Sequence, residues 1–116
     1  RDLKAAWKEK DYNMTVRRGQ EVVELSLKAA LKILGIDYPK VHDVGATFAQ
    51  QARRKGVDIA EEVLSRIERA SLWLAEARAP SFYGERSFGQ MDAERALEDA
   101  SFVLQKIRTA LKVEGR

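Results

Sequence analysis

Residues 16–35, with the sequence VRRGQEVVELSLKAALKILG, decide the fold of this chain. The apolar residues of this stretch recur at spacings of three, four and seven, which places them on one side of a long amphipathic helix: Val16, Val23, Leu27, Ala30 and Leu34. Gln20, Glu24 and Lys28 stand one helical turn apart and form a polar row close beside this apolar stripe. A partly buried polar group costs free energy unless it finds a partner. We therefore expect the polar row to contact another molecule or subunit.

The rest of the chain predicts four more helices and no strand. A first helix is expected over 2–10, and the long second helix from residue 14 to a left-handed glycine at 35. A third is expected over 44–55 behind an Asp43 cap, a fourth from a capping box at Asp58 to residue 78, and a fifth over 92–111 behind an Asp92 cap. Residues 79–91 contain Pro80, Gly84 and Gly89 and predict a loop. The fold class is therefore all-α, an antiparallel up-and-down bundle of four to five helices.

Composition narrows the class of protein further. The 116 residues fit a single domain over 1–116, and the start of the first helix is expected to be missing, because Leu3 and Trp7 already follow a helical stripe. With 45% hydrophobic and 34% charged residues, the chain is too apolar for disorder. It holds no cysteine and one histidine, so we expect no disulfide, no zinc site and no cofactor. It has no membrane-spanning run and no signal segment, so we expect it in the cytoplasm.

Two features allow contact with nucleic acid without requiring it. The net charge is +3, and the tightest basic cluster, at residues 53–55, is read as a solvated helix end that complements the helix dipole. The loop at 79–91 holds Phe82, Tyr83 and Phe88 together with Arg86. These aromatic residues are expected to cover the open end of the bundle, and stacking on bases is the alternative.

The polar row has two interpretations. In the structural one, Glu24 pairs with Lys28 and accepts a hydrogen bond from Gln20. In the functional one, Lys28 meets a phosphate while Gln20 or Glu24 reads a base or a ribose. His42, the single histidine, follows a proline loop and is expected to bond to the backbone or cap a helix. A catalytic role would require a companion: a serine or cysteine nucleophile, a carboxylate that orients it, or a cation beside a scissile phosphate.

This combination of residues resembles the HEPN domain family. The resembling segments are QEVVELSLKA at residues 20–29, then Gly35, and then the Pro-x-x-His-Asp loop from Pro39 to Asp43. The resemblance implies a helical, homodimeric domain that binds a nucleotide or RNA and works with a separately encoded minimal nucleotidyltransferase, as its substrate-binding or toxin–antitoxin partner. On this interpretation the residues that bind a nucleotide or form an interface are Gln20, Glu24, Lys28, His42, Arg78 and Tyr83.

Enzyme activity is less favoured by the sequence. Many HEPN proteins are metal-independent ribonucleases that use an Arg-x(4–6)-His motif, and no such motif occurs here. In the corresponding place Arg78 is followed by Tyr83, and a tyrosine with a pKa near 10 is a poor proton shuttle at neutral pH. Phosphate-binding glycine loops and a nucleophile elbow are also absent. Two alternatives stay open: a ribonuclease toxin with altered catalytic residues, and a purely structural helical dimer.

Overall fold

A computed structural model describes residues 2–83 and 86–112 of the chain, without the side chains of residues 80–83. Within these ranges it contains five helices and no strand, so the predicted all-α class is confirmed. The helices are α1 (Leu3–Lys8), α2 (Tyr12–Ile33), α3 (Gly45–Arg54), α4 (Glu61–Tyr83) and α5 (Gln90–Ala110).

The long helix α2 lies at the centre of the bundle, against α4 and α5, while α1 packs on α2 and α3 packs on α4. Helix α4 runs antiparallel to its two long neighbours. Arg78 near its end contacts Gln20 in the first half of α2. Arg66 near its start lies over Phe102 in the second half of α5. This arrangement brings the end of α4 beside the polar row of α2.

The ends of α2 are set by the residues that the sequence provides there. Asp11 caps the first turn, since its carboxylate accepts the backbone N–H of Met14 at 3.1 Å. Gly35 has a φ of +76°, and the N–H of Ile36 reaches back to the carbonyl of Leu31 at 2.9 Å. This is the Schellman end that the glycine predicted, and Gly56 closes α3 in the same way with a φ of +66°.

Several predicted helix boundaries were wrong. Helix α1 ends at Lys8 and not at residue 10, α2 begins at Tyr12 and not at residue 14, and the N-cap residue of α3 is Val44 and not Asp43. Helix α4 begins at Glu61, three residues beyond the expected Asp58 cap. Helix α5 begins at Gln90 behind Gly89, and Asp92 lies in its first turn, where its carboxylate accepts the N–H of Gly89 at 3.0 Å. Helix α4 also continues past Pro80 to residue 83, although a proline inside a helix removes one hydrogen bond and crowds the preceding turn.

The core follows the apolar stripe of α2. Val16, Val23, Leu27 and Ala30 are buried as predicted, and Leu34 packs against the core from its edge. The stripe meets buried residues of the other helices, namely Phe48, Ala52, Leu64, Ile67, Leu74, Ala96, Ala100 and Val103. The crossing of α2 with α5 is close, because a Cβ added at Gly19 would lie 3.2 Å from the backbone oxygen of Ala96.

None of the helices in the described ranges is both long and apolar enough to cross a membrane.

Candidate functional site

The carboxylate of Glu24 is the centre of a hydrogen-bonded cluster on α2. Gln20 donates its amide N–H to Oε1 at 2.7 Å, and the ammonium of Lys28 lies 2.7 Å from Oε2. These are the two contacts that the structural interpretation of the polar row predicted. A third partner was not predicted: Nδ1 of His42 lies 2.8 Å from Oε1, whereas we expected this histidine to bond to the backbone or to cap a helix.

The cluster favours the ionised form of Glu24. Burial by itself would raise the pKa of this carboxyl, whose side chain is only 14% exposed. The hydrogen bonds from Lys28, Gln20 and His42 outweigh burial, so the pKa of Glu24 lies below its usual value. Glu24 is therefore a stable anion at neutral pH that holds three side chains around it.

The polar row continues onto α4 through Gln20. The side chain of Gln20 is almost fully buried, with 1% exposure, and its carbonyl oxygen accepts a hydrogen bond from Arg78 Nη1 at 2.7 Å. The row thus finds its partners within the same chain, whereas we expected them on another molecule or subunit. The reason is the antiparallel packing of α4, which brings Arg78 within reach of α2.

The loop between α2 and α3 contacts the polar row through two side chains, those of His42 and Tyr38. His42 contacts Glu24, and the ammonium of Lys28 lies 5.4 Å from the ring centre of Tyr38. The carboxylate of Asp43 accepts the N–H of Gly45 at 3.1 Å and the hydroxyl of Ser71 at 2.6 Å. Asp43 therefore supports the first turn of α3, with Val44 as the capping residue, and ties the loop to α4.

A pocket of about 320 Å³ opens beside this cluster. Its lining residues are Glu21, Glu24, Leu25, His42 and Arg78. Gln20 and Lys28 are not among them, but both hold Glu24, and Gln20 also holds Arg78. The structure thus brings five of the six predicted site residues together. The sixth, Tyr83, has its side chain outside the part of the chain that the structure describes.

Glu21 and Leu25 were missed by the sequence interpretation. Glu21 lies 2.5 Å from a guanidinium nitrogen of Arg18 and 4.0 Å from one of Arg78. Leu25 is 67% exposed, which is high for a leucine in a central helix. Arg18, Glu21 and Leu25 are spaced by three and four and form a second row beside the first. That spacing places them on one side of α2, but the exposure of Leu25 is a property of the packed bundle, so no signal in the sequence identifies them as lining a pocket.

The chemistry of the pocket combines an arginine with an oriented histidine. Glu24 engages Nδ1 of His42, so Nε2 is the ring nitrogen left for a ligand. Arg78 lines the same pocket and carries a guanidinium suited to phosphate oxygens. Among the described residues no group of three histidines, cysteines or carboxylates could hold a metal ion.

Two other groups of residues serve the fold. Phe88 is 6% exposed and belongs to the core, so it covers the end of the bundle as expected, while the side chains of Phe82 and Tyr83 lie outside the described residues. The basic cluster at 53–55 is engaged locally, since Arg53 pairs with Glu61 at 2.5 Å across the α3–α4 turn.

The comparisons with known proteins agree with the all-helical fold. A family model described as HEPN domain matches residues 1–110. No curated protein and no solved structure matches the chain.

Proposed function

This chain belongs to the HEPN domain family, and from that premise we propose that it is a nucleotide-binding protein that works with a separately encoded minimal nucleotidyltransferase. In this role it is the substrate-binding or toxin–antitoxin half of the pair and acts as a homodimer. Family membership supports the kind of partner, and the pocket on α2 supports the kind of ligand.

The observation that carries the proposal is the pocket beside Glu24. Its volume of about 320 Å³ lies at the small end of the range for ligand sites, which is about 300–1,000 Å³. The charged groups that line it are Arg78, Glu21 and Glu24, and the two carboxylates are paired with Arg18 and Lys28. A mononucleotide fits this lining, because its phosphate can meet the arginine while its hydroxyl and amine groups can donate to a carboxylate.

Each residue has a distinct role in the proposal. The guanidinium of Arg78 binds phosphate oxygens, and Nε2 of His42, whose Nδ1 is engaged by Glu24, accepts a hydrogen bond from a ribose hydroxyl or a base amine. The exposed side chain of Leu25 packs against the base, and Glu21 accepts a hydrogen bond from a ribose hydroxyl or a base amine. Gln20 and Lys28 act as positioning residues, because Gln20 holds Arg78 and both of them hold Glu24.

Nucleotide binding is tested by the thermal stability of the purified protein with ATP, GTP and their monophosphates. A ligand at 100 times its Kd raises the free energy of unfolding by about 2.7 kcal/mol, which a melting curve resolves. Arg78→Gln is expected to remove the stabilisation. Arg69→Gln, which removes an equal charge from an exposed position on the same helix outside the pocket, is expected to keep it. If both variants lose the stabilisation by nucleotides equally, the effect depends only on net charge and the proposed site is refuted.

The partner is tested by co-expression with a minimal nucleotidyltransferase encoded next to this gene. We expect the two chains to co-purify and the complex to contain two copies of this chain. Separate elution of two folded proteins at micromolar concentration would contradict the proposed partnership while leaving nucleotide binding as a separate question.

One observation favours a second candidate function, a metal-independent ribonuclease. The sequence lacks the expected arginine–histidine motif, yet His42 is oriented by a carboxylate at 2.8 Å and lines one pocket with Arg78. An arginine that holds phosphate charge and a histidine that moves a proton are the groups that such cleavage needs. If this function is present, total RNA is cleaved in EDTA and cleavage disappears in His42→Ala and in Arg78→Ala. Intact RNA with the folded wild-type protein would rule it out.

A further inference from the structure

A second surface of the bundle, on the side formed by α4 and α5, carries cations stacked on aromatic rings. The guanidinium carbon of Arg66 lies 3.8 Å from the ring centre of Phe102, and that of Arg95 lies 4.3 Å from the ring centre of Trp73. Two further contacts extend the series at its ends: Arg86 over Phe88 at 4.7 Å, and Lys106 over Phe102 at 5.5 Å. We name these residues the arginine–aromatic stripe.

These contacts form one continuous surface. Asp99 connects its middle, because its carboxylate accepts Nη2 of Arg66 at 3.2 Å and the indole N–H of Trp73 at 2.9 Å. Arg95 lies 3.8 Å from the same carboxylate. Between Arg95 and Lys106 the stripe follows α5 for about 17 Å at 1.5 Å per residue. Four cation–π contacts therefore lie along one side of the chain.

Arg66 and Arg95 contact neighbouring protein groups and remain partly exposed to solvent. Asp99, with 13% exposure, and an aromatic ring contact the guanidinium of Arg66 and that of Arg95. The side chains of Arg66 and Arg95 nevertheless remain 41% and 58% exposed. A guanidinium held in this way presents a flat outer surface, on which a base can stack, and an N–H edge, which can donate to phosphate.

We propose that the arginine–aromatic stripe binds single-stranded nucleic acid, with unpaired bases stacked on the guanidinium planes and phosphate oxygens bound at their edges. Sequence-tolerant binding of single strands uses this combination of positive charge and planar stacking surfaces. A pocket of about 260 Å³ between Arg86 and Arg95, with the Trp73 ring in its wall, is the place for one base or one phosphate. This surface is separate from the nucleotide pocket on α2, and its function does not depend on that pocket.

Acidic side chains on the same surface lower its affinity for a phosphate backbone, and their removal provides a test of the proposal. Glu76 lines the pocket with Arg86 and Arg95, and Asp92 lies there too with its carboxylate on the N–H of Gly89. Glu98 lines the opposite end of the stripe beside Arg66. A phosphate backbone in the stripe is repelled by Glu76 and Glu98, so neutralising either one tightens binding.

The experiment measures fluorescence anisotropy of labelled oligouridine, oligoadenosine and oligodeoxythymidine, each of about 12 nucleotides, within the range of known single-strand sites. The double variant Arg66→Lys/Arg95→Lys keeps both charges and loses both planar groups, and we expect it to weaken binding about tenfold. Arg54→Lys, an exposed arginine on α3, is the matched control and is expected to change nothing. Unchanged affinity in the double variant would refute the proposal.

Three further measurements separate stacking from other causes. A polyglutamate peptide of equal length carries charge without bases, and equal affinity for it would show a merely electrostatic surface and overturn the proposal. Glu76→Gln and Glu98→Gln are expected to bind about twofold more tightly, a readout that lost folding cannot imitate, and unchanged affinity in both would count against the stripe. Arg54→Gln, which removes one positive charge outside both the stripe and the α2 pocket, is expected to bind oligonucleotides like the wild type, and a loss as large as that of the double variant would assign the binding to net charge instead.

Discussion

The strongest quantitative prediction concerns Glu24→Gln, which removes the negative charge at the centre of the polar row without changing its shape. The carboxylate has three partners at 2.7–2.8 Å: Gln20, Lys28 and His42. A glutamine can accept through one oxygen only, and its own amide N–H groups then face a donor. Hydrogen bonds to charged groups contribute about 1.5–3 kcal/mol each when buried, whereas exposed ion pairs contribute about 0.2–1 kcal/mol.

The exposure of the side chains decides between these limits. Glu24 is 14% exposed and Lys28 18%, but His42 is 55% exposed and contributes little. We expect Glu24→Gln to lower the free energy of unfolding by about 2 kcal/mol. For a chain of this length that corresponds to a drop of about 8 °C in melting temperature. Glu21→Gln is the matched control, because Glu21 is the neighbouring carboxylate, is 29% exposed, and pairs chiefly with Arg18. Its cost should stay below about 1 kcal/mol.

The assay is urea unfolding followed by circular dichroism, at about pH 7 and about pH 3. The pKa of Glu24 is lowered by folding, so its contribution is complete above the unfolded value of 4.5 and is lost as the pH falls below that value. At about pH 3 the difference between the wild type and Glu24→Gln should therefore shrink. If Glu24→Gln costs no more than Glu21→Gln, or if its cost is unchanged at low pH, the carboxylate is not the centre of the cluster and the reasoning fails.

Two other predictions test the packing that positions the site. Gly45→Ala should destabilise the protein by about 1–3 kcal/mol, because the new Cβ would lie 2.7 Å from Cβ of Ser71; a melting temperature equal to the wild type would show that α3 and α4 can separate freely. Asn13→Ala should cost about 1–2 kcal/mol and expose the amide of Phe88 to hydrogen exchange, because Asn13 accepts that N–H at 2.8 Å and donates to the carbonyl of Arg86 at 2.9 Å. Asn13→Asp keeps the acceptor and should retain part of the protection, and equal exchange in the two variants would contradict this role.

The central helix was predictable because its signals are local. The spacing of Val16, Val23 and Leu27 fixes one apolar side, and Gly35 ends the helix through its own backbone freedom. The boundaries of α4 and α5 were not predictable with the same success. Asp58 and Asp92 both have the chemistry of a cap, and which residue begins a helix depends on where the packed turns start.

The candidate site was predictable only where its residues lie on the same helix, because contacts within one helix follow from local spacing. Gln20, Glu24 and Lys28 are neighbours on one helix, so their mutual hydrogen bonds follow from spacing alone. Glu21 and Leu25 lie on the same helix, but the sequence does not say which side of it borders a pocket.

The sequence by itself determined that α2 forms, that its apolar side is buried, and that a polar row runs beside the core, because these properties depend on residues three and four apart. Only the tertiary structure decided what the row contacts. Arg78 lies 58 residues from Gln20 in the chain and His42 lies 18 from Glu24, and both arrive through the antiparallel packing of α4 and the folding of the α2–α3 loop. Contacts over such separations depend on how whole helices pack, and no local spacing encodes that.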